Sequence, residues 1–174
     1  LLLLQLKGSF GASSRTAIAL AQRYPYFHAA VGIHPENAAQ FCAQAQAELA
    51  RLAAYPRVVA IGEIGLDYHW PEPGRDVQRT AFRAQLALAG RLGLPVCVHD
   101  RDAHAETMEI LSEFPDVRGV LHCYTGAREM AAELVKMGWY IGFTGVVSFK
   151  NAKKARLVAQ SIPLSRILIE TDCP

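Results

Sequence analysis

The sequence predicts an α/β fold, a parallel (β/α) barrel of the TIM type, and three observations carry that expectation. Seven short apolar runs alternate with stretches of helical spacing, the pattern of a parallel sheet covered by helices. No glycine-rich phosphate loop follows the first run, as an open nucleotide-binding sheet usually shows. Run after run also ends on polar chemistry, and the C-terminal ends of barrel strands are where such folds place their active sites.

Taken in order, strands are expected at residues 1–6, 27–33, 58–62, 94–99, 117–122, 139–143 and 166–171, because short apolar runs covered on both faces make parallel strands. Between them, Phe41, Ala45, Leu49 and Leu52 keep a helical period, as do Val77, Ala81, Ala84 and Leu88 and then Met130, Leu134 and Met137. Asp76 is placed to cap the second of these helices, although Arg79, three residues on, cannot complete a capping box. No repeat, low-complexity stretch or linker interrupts the 174 residues, so one domain over 1–174 is expected.

Composition sets the outer bounds. With 51% hydrophobic and 20% charged residues the chain has ample material for a core and no disorder signature. Eighteen basic against sixteen acidic residues give a net charge of +2, too mild by itself to mark a nucleic-acid binder. Cys42, Cys97, Cys123 and Cys173 show no paired short spacing. That argues against a disulfide framework or a four-thiolate zinc site and for reduced thiols in the cytoplasm. The apolar start is too short to cross a bilayer and lacks the layout of a signal peptide, so no membrane association is expected. The chain opens without Met and stops at Pro174, directly after its most distinctive motif, and is expected to be a piece cut at both ends.

The chemistry lies in what the strands end on. VVAIGEIGLDY (58–68) runs into Glu63, LPVCVHDR (94–101) into His99, VRGVLHCYTG (117–126) into His122, and RILIETDCP (166–174) into Glu170 and Asp172. A charged or imidazole group at the end of a buried strand faces costly desolvation unless something compensates it. A cation held by several such groups at once would compensate them together, and carboxylate plus imidazole suits zinc, manganese and related divalent ions. Glu63, His99, His122 and Asp172 are therefore the candidate metal ligands, on the expectation that the sheet curls enough to bring them together. Strand alternation puts Glu170 on the face of Asp172 but one layer deeper, as an orienting residue.

Around this set the reading is less specific. Arg101 shares the face of His99 and either grips a substrate phosphate with its planar fork or pairs with a carboxylate. His34, in GIHPEN, is a substrate contact or a loop histidine, with Pro35 discouraging helical continuation. Asp67 and Tyr68 border the mouth on the loop expected after Glu63, and Tyr124, Thr125 and Thr144 have similar rim positions as candidate substrate contacts. His28, His69 and His104 are read as structural or solvent-facing. Cys97 is expected to point inward beneath His99, and no nucleophile arrangement accompanies any cysteine or serine. Lys150, Lys153, Lys154 and Arg156 either guide a polyanion or form a solvated helix start.

The ordered series GIHP (32–35), GEIGLDY (62–68), PVCVHDR (95–101), HCYTG (122–126), GFTG (142–145) and IPLSRILIETDCP (162–174) resembles the TatD family of metal-dependent deoxyribonucleases. The resemblance implies a TIM-type barrel, two divalent metal ions of the magnesium, manganese or zinc class, and hydrolysis of phosphodiesters in DNA, single-stranded or at ends. By motif it makes Glu63 the carboxylate bridging two metals, His99 and His122 the imidazoles on one, and Asp172 the aspartate on the other, which also orients or deprotonates the attacking water. It also exposes a departure. The family's first strand carries a His-x-His pair that this chain lacks, so the barrel is expected to be incomplete, without the first strand and the last helix. Two other readings follow: a metal-barrel hydrolase of amides or esters, disfavoured because Glu63 stands where a carboxylated lysine would bridge, or a truncated remnant without catalysis.

Overall fold

The computed structural model describes residues 2–4 and 11–171. Its elements run β1 (Leu2–Leu4), α1 (Ala12–Arg23), β2 (Phe27–Val31), α2 (Ala43–Ala53), β3 (Val58–Asp67), α3 (Arg75–Leu92), β4 (Val96–Arg101), α4 (His104–Ser112), β5 (Gly119–Leu121), α5 (Arg128–Lys136), β6 (Tyr140–Phe143), α6 (Lys153–Ser161) and β7 (Ile167–Ile169). All seven strands pair in parallel with their sequence neighbours, in the order β1 to β7. Among the described residues the sheet curls as an incomplete (β/α) barrel, with β1 and β7 at its two edges.

The strands form where the apolar runs stood because both faces are covered. Ala29, Ala30 and Val31 of β2, Ile61, Ile64 and Leu66 of β3, and Val96 and Val98 of β4 are all buried, as is Cys97. Helical faces close over them with Leu49 and Leu52 of α2, Phe82, Leu86 and Ala89 of α3, Leu111 of α4 and Leu134 of α5.

Some local expectations shift. The α3 face is turned by one position: Val77 is exposed, and the buried set includes Gln78 and Gln85 beside Ala81 and Phe82. Gly74, not Asp76, occupies the N-cap of α3, and Asp76 sits in the first turn, where a carboxylate still suits the helix dipole. Phe41 precedes α2, closing a 3-10 turn over Pro35–Gln40. Helices α1 and α4 are additional to the three expected: α1 buries Ser14, Ala17, Ile18 and Ala21, a helical period made mostly of small residues, and α4 buries Thr107, Ile110 and Leu111.

The largest difference concerns β3, which does not stop before Glu63 but continues to Asp67. Its pairing with β4 slips between Ile61, opposite Val96, and Ile64, opposite Val98. Three steps along β3 thus match two along β4, so Glu63 occupies a bulge, a feature that redirects a side chain without ending the strand. Beyond it, Gly65 adopts φ +140° and lies so close to β4 that a Cβ there would stand 2.0 Å from the His99 carbonyl oxygen. Only glycine permits this approach. β4 likewise runs past His99 to Arg101.

Candidate metal centre

Strand β4 and the segments just past β5 and β2 deliver imidazoles to a single carboxylate oxygen on β3. Glu63 Oε1, on the β3 bulge, lies 2.8 Å from His99 Nδ1 of β4 and 2.5 Å from His122 Nε2, one residue past β5. His34 Nε2, three residues past β2, stands 3.5 Å away. The rings crowd accordingly, with His34 and His99 centroids 4.7 Å apart and His99 and His122 5.7 Å apart. Glu63, His34 and His122 are largely buried, and His99 is about as sheltered.

Each imidazole is held from behind, two by carboxylates and one by a backbone amide. His122 Nδ1 faces Glu170 Oε2 at 3.7 Å, and Glu170 Oε1 accepts the Cys123 backbone N–H at 2.5 Å. Glu170 fits there because residue 142 is glycine: a Cβ at Gly142 would come within 2.3 Å of Glu170 Oε1. His99 Nε2 faces Asp67 Oδ2 at 3.0 Å. His34 Nδ1 instead accepts the Glu36 backbone N–H at 3.2 Å, capping the 3-10 turn that Pro35 opens. Proline at that first position favours the turn rather than discouraging it. Gln85 of α3 clamps the residue before His34, accepting the Ile33 N–H at 2.7 Å and donating to the Ile33 carbonyl at 3.1 Å.

The electrostatics follow from this crowding. Burial pushes the Glu63 carboxyl up, but hydrogen bonds from His122, His34 and His99 and the charge of His122 outweigh it, holding Glu63 well below the usual carboxylate range. Burial pushes His122 down, yet its bonds to Glu170 and Glu63, with their charges, raise it to about 10. Glu63 is therefore ionised and His122 an imidazolium at neutral pH, an arrangement in which a proton stands where a cation would bring the same charge compensation.

The donor set suits a divalent ion, since carboxylate and imidazole are borderline ligands for zinc- or manganese-type ions. By distance alone His34, Glu63 and His99 form a ligand group, each offering an atom within 4.8 Å of the others. The hydrogen bonding of His34 argues otherwise. A neutral ring that accepts an amide N–H at Nδ1 carries its proton on Nε2 and has no lone pair to offer there. His99 and His122, backed by carboxylates, can each keep a proton on the far nitrogen and turn a lone pair inward.

The remaining expected residues fall outside this cluster or play other parts in it. Asp67 is not on a loop at the mouth: it is the last residue of β3, 1% exposed, and turned onto His99. Arg101 is exposed at the end of β4, and its guanidinium makes no ion pair among the described residues; two residues beyond His99, it projects past the cluster. Tyr124 is buried and donates its hydroxyl proton to the Ala127 carbonyl at 2.7 Å. Tyr68 donates to Glu106, and Thr144 caps a 3-10 turn by accepting the Val146 N–H. Of the basic cluster, Lys154 donates to the Thr125 carbonyl, and Arg156 to the carbonyls of Val147, Phe149 and Lys150, so these two cations fasten a loop. Asp172 lies outside the described residues. Gln78 and Gln85 went unremarked in the sequence, although two glutamines seven residues apart on one buried helix face are the available signal.

Known proteins resemble this chain in sequence and in fold. The family model described as TatD related DNase matches residues 4–174. A Bacillus subtilis protein named uncharacterized metal-dependent hydrolase YabD is 45% identical over 160 residues, 91% of this chain and 63% of that protein. The 3'-5' ssDNA/RNA exonuclease TatD of Enterobacter lignolyticus is 38% identical over 172 residues, 97% of this chain and 66% of its own length. Among solved structures, the TatD homolog YJJV of Escherichia coli superposes with a TM-score of 0.90 at 31% identity, across 99% of this chain and 67% of that one. The chain thus spans less than two thirds of the length of these two curated relatives.

Proposed function

We propose, from the premise that this chain belongs to the TatD related DNase family, that it supplies ligands of a divalent-metal centre for hydrolysing phosphodiesters in nucleic acid. One observation carries the proposal: Glu63 Oε1 receives His99 Nδ1, His122 Nε2 and His34 Nε2 within 3.5 Å, from elements otherwise far apart in sequence. Glu63, His99 and His122 would hold one divalent ion, with Glu63 shared towards a second that Asp172 would help bind. Such ions would supply activation of water and compensation of charge on phosphoryl oxygens.

The chain's own groups have distinct tasks in this reading. Glu170 accepts from Cys123 and keeps His122 turned to the centre through its Nδ1 side. His34, with Nδ1 committed to the Glu36 amide, presents Nε2–H as a donor to a phosphoryl oxygen, charge-assisted because the acceptor is anionic. Asp172 is proposed to orient or deprotonate the water. A nucleic-acid substrate is supported by the name of the Enterobacter lignolyticus relative, a 3'-5' ssDNA/RNA exonuclease, and single strands or 3' ends are accordingly the proposed substrates.

The test is Mn2+- or Mg2+-dependent degradation of a labelled single-stranded oligonucleotide by the product of the complete coding sequence. Glu63→Ala should retain its circular dichroism and lose at least about a hundredfold in rate, since the carboxylate removed is the common partner of all three imidazoles. Unimpaired hydrolysis by Glu63→Ala would overturn the assignment of the site. DNA left intact while a cyclic amide or an ester is turned over would overturn the substrate.

A further inference from the structure

Resting on the reading of Glu63, His99 and His122 as cation ligands, we propose that Asp67 is a positioning residue that locks His99 in its Nε2–H tautomer and so aims the Nδ1 lone pair at the cation beside Glu63. His99 lies between two carboxylates, Glu63 Oε1 at 2.8 Å from Nδ1 and Asp67 Oδ2 at 3.0 Å from Nε2. The two sides are not equivalent. Glu63 is shared with His34 and His122 and is open to exchange a proton for a metal. Asp67 is 1% exposed and fixed on every side. Its Oδ1 accepts the His69 backbone N–H at 3.0 Å. Its backbone N–H donates to Gln78 Oε1 at 2.8 Å, and its carbonyl accepts from Gln78 Nε2 at 2.8 Å, while the same amide group also reaches the Pro73 carbonyl at 2.9 Å.

Gln78 is thus a buried clamp from α3 on the last residue of β3, and with Oδ1 committed to His69 the remaining acceptor of Asp67 points at His99. An ionised carboxylate only accepts, so the ring nitrogen it faces must carry a hydrogen. The other nitrogen is then the one left to bind, the arrangement in which a carboxylate behind a ligating histidine fixes its tautomer and raises its basicity. The extension of β3 past the Glu63 bulge acquires a purpose from this: one strand contributes both the carboxylate in front of His99 and the one behind it.

Asp67→Asn is the discriminating variant because it keeps the shape and reverses the chemistry. The carboxamide oxygen stays on the immovable His69 amide, and its amino group then faces Nε2, which must accept. The proton moves to Nδ1, towards the cation. The expected result, on the product of the complete coding sequence, is Mn2+ affinity about 10- to 100-fold weaker by calorimetry, with thermal unfolding still cooperative. Nitrogen-15 correlation spectra of the imidazoles, recorded with Zn2+ as a diamagnetic probe, should show His99 as Nε2–H in wild type and as Nδ1–H in the metal-free variant.

Wild-type affinity in Asp67→Asn, or an Nε2–H signal persisting in it, would overturn the proposal. If the variant does not fold, the wild-type spectrum still decides, since His99 bound to Zn2+ through Nε2 is incompatible with it. Failure of the underlying reading is distinguishable: Glu63→Gln and His99→Ala would then also bind Mn2+ as tightly as wild type, and that outcome too overturns the proposal.

Discussion

If His122 holds a cation through Nε2, as proposed, proton and cation compete for that nitrogen, and pH is the perturbation that reveals it. In the metal-free protein His122 is an imidazolium between Glu63 and Glu170, raised to about 10 by its bonds to them despite its burial. A divalent ion needs the Nε2 lone pair, so binding must expel that proton, and ligand deprotonation makes affinity depend on pH. Displacing one proton weakens apparent affinity about tenfold per pH unit below the ligand's own pKa. Between about pH 7 and about pH 8.5 the Mn2+ dissociation constant should therefore fall about thirtyfold. Calorimetry in two buffers of different ionisation heat, over that window, measures both the slope and the proton released. An imidazole at the ordinary value of about 6.5 is already neutral there, so a flat line with no proton released would refute the reasoning. The stability of the metal-free protein carries the complementary sign. Because the folded-state value of His122 is raised, its contribution is complete below its ordinary 6.5 and disappears as pH rises towards about 10. Glu63, depressed, contributes above its ordinary 4.5, and that contribution declines as pH falls below it.

Two further outcomes test the scaffold around the site. Gln85→Ala leaves the buried N–H and carbonyl of Ile33 without their partner and should cost about 2–6 kcal/mol in urea unfolding, on the order of 1–3 kcal/mol per orphaned group; a loss under about 1 kcal/mol would mean the clamp is replaceable. Gly65→Ala should destabilise by about 3 kcal/mol or more, because its methyl group would stand 2.0 Å from the His99 carbonyl at a backbone angle of +140°; a variant as stable as wild type would show that β3 and β4 do not pack as described.

Much of this architecture was legible because desolvation leaves a trace in sequence. Apolar runs that serve as parallel strands must be continuous, so β2, β4, β6 and β7 could be located from composition alone, and a polar group closing such a run is conspicuous by its cost. Glu63, His99 and His122 were found that way. The residues misjudged are those whose placement depends on partners from distant parts of the chain. Asp67 was read as loop because EIGLD (63–67) is broken by charge and glycine, yet the strand persists: Gln78 from α3 satisfies its backbone, and His99 and the His69 amide satisfy its carboxylate. For Arg101, strand alternation predicts a face, but the same arithmetic carries it two residues, roughly 6–7 Å, beyond His99, and face without depth cannot make a contact.

The three histidines show where sequence stops for a deeper reason. His34, His99 and His122 all follow or close an apolar run, and nothing in their own neighbours separates them. What separates them is the group behind each ring: a backbone amide for His34, Asp67 for His99 and Glu170 for His122. An amide donor leaves the inward nitrogen protonated, whereas a carboxylate leaves it free to ligate. The proposed division of labour, one hydrogen-bond donor and two ligands around a single glutamate, would therefore be set by groups behind the rings. Two of those three backing groups, the Glu36 amide and Asp67, depend on local events that composition does not report, a 3-10 turn begun by proline and a strand continued through a bulge.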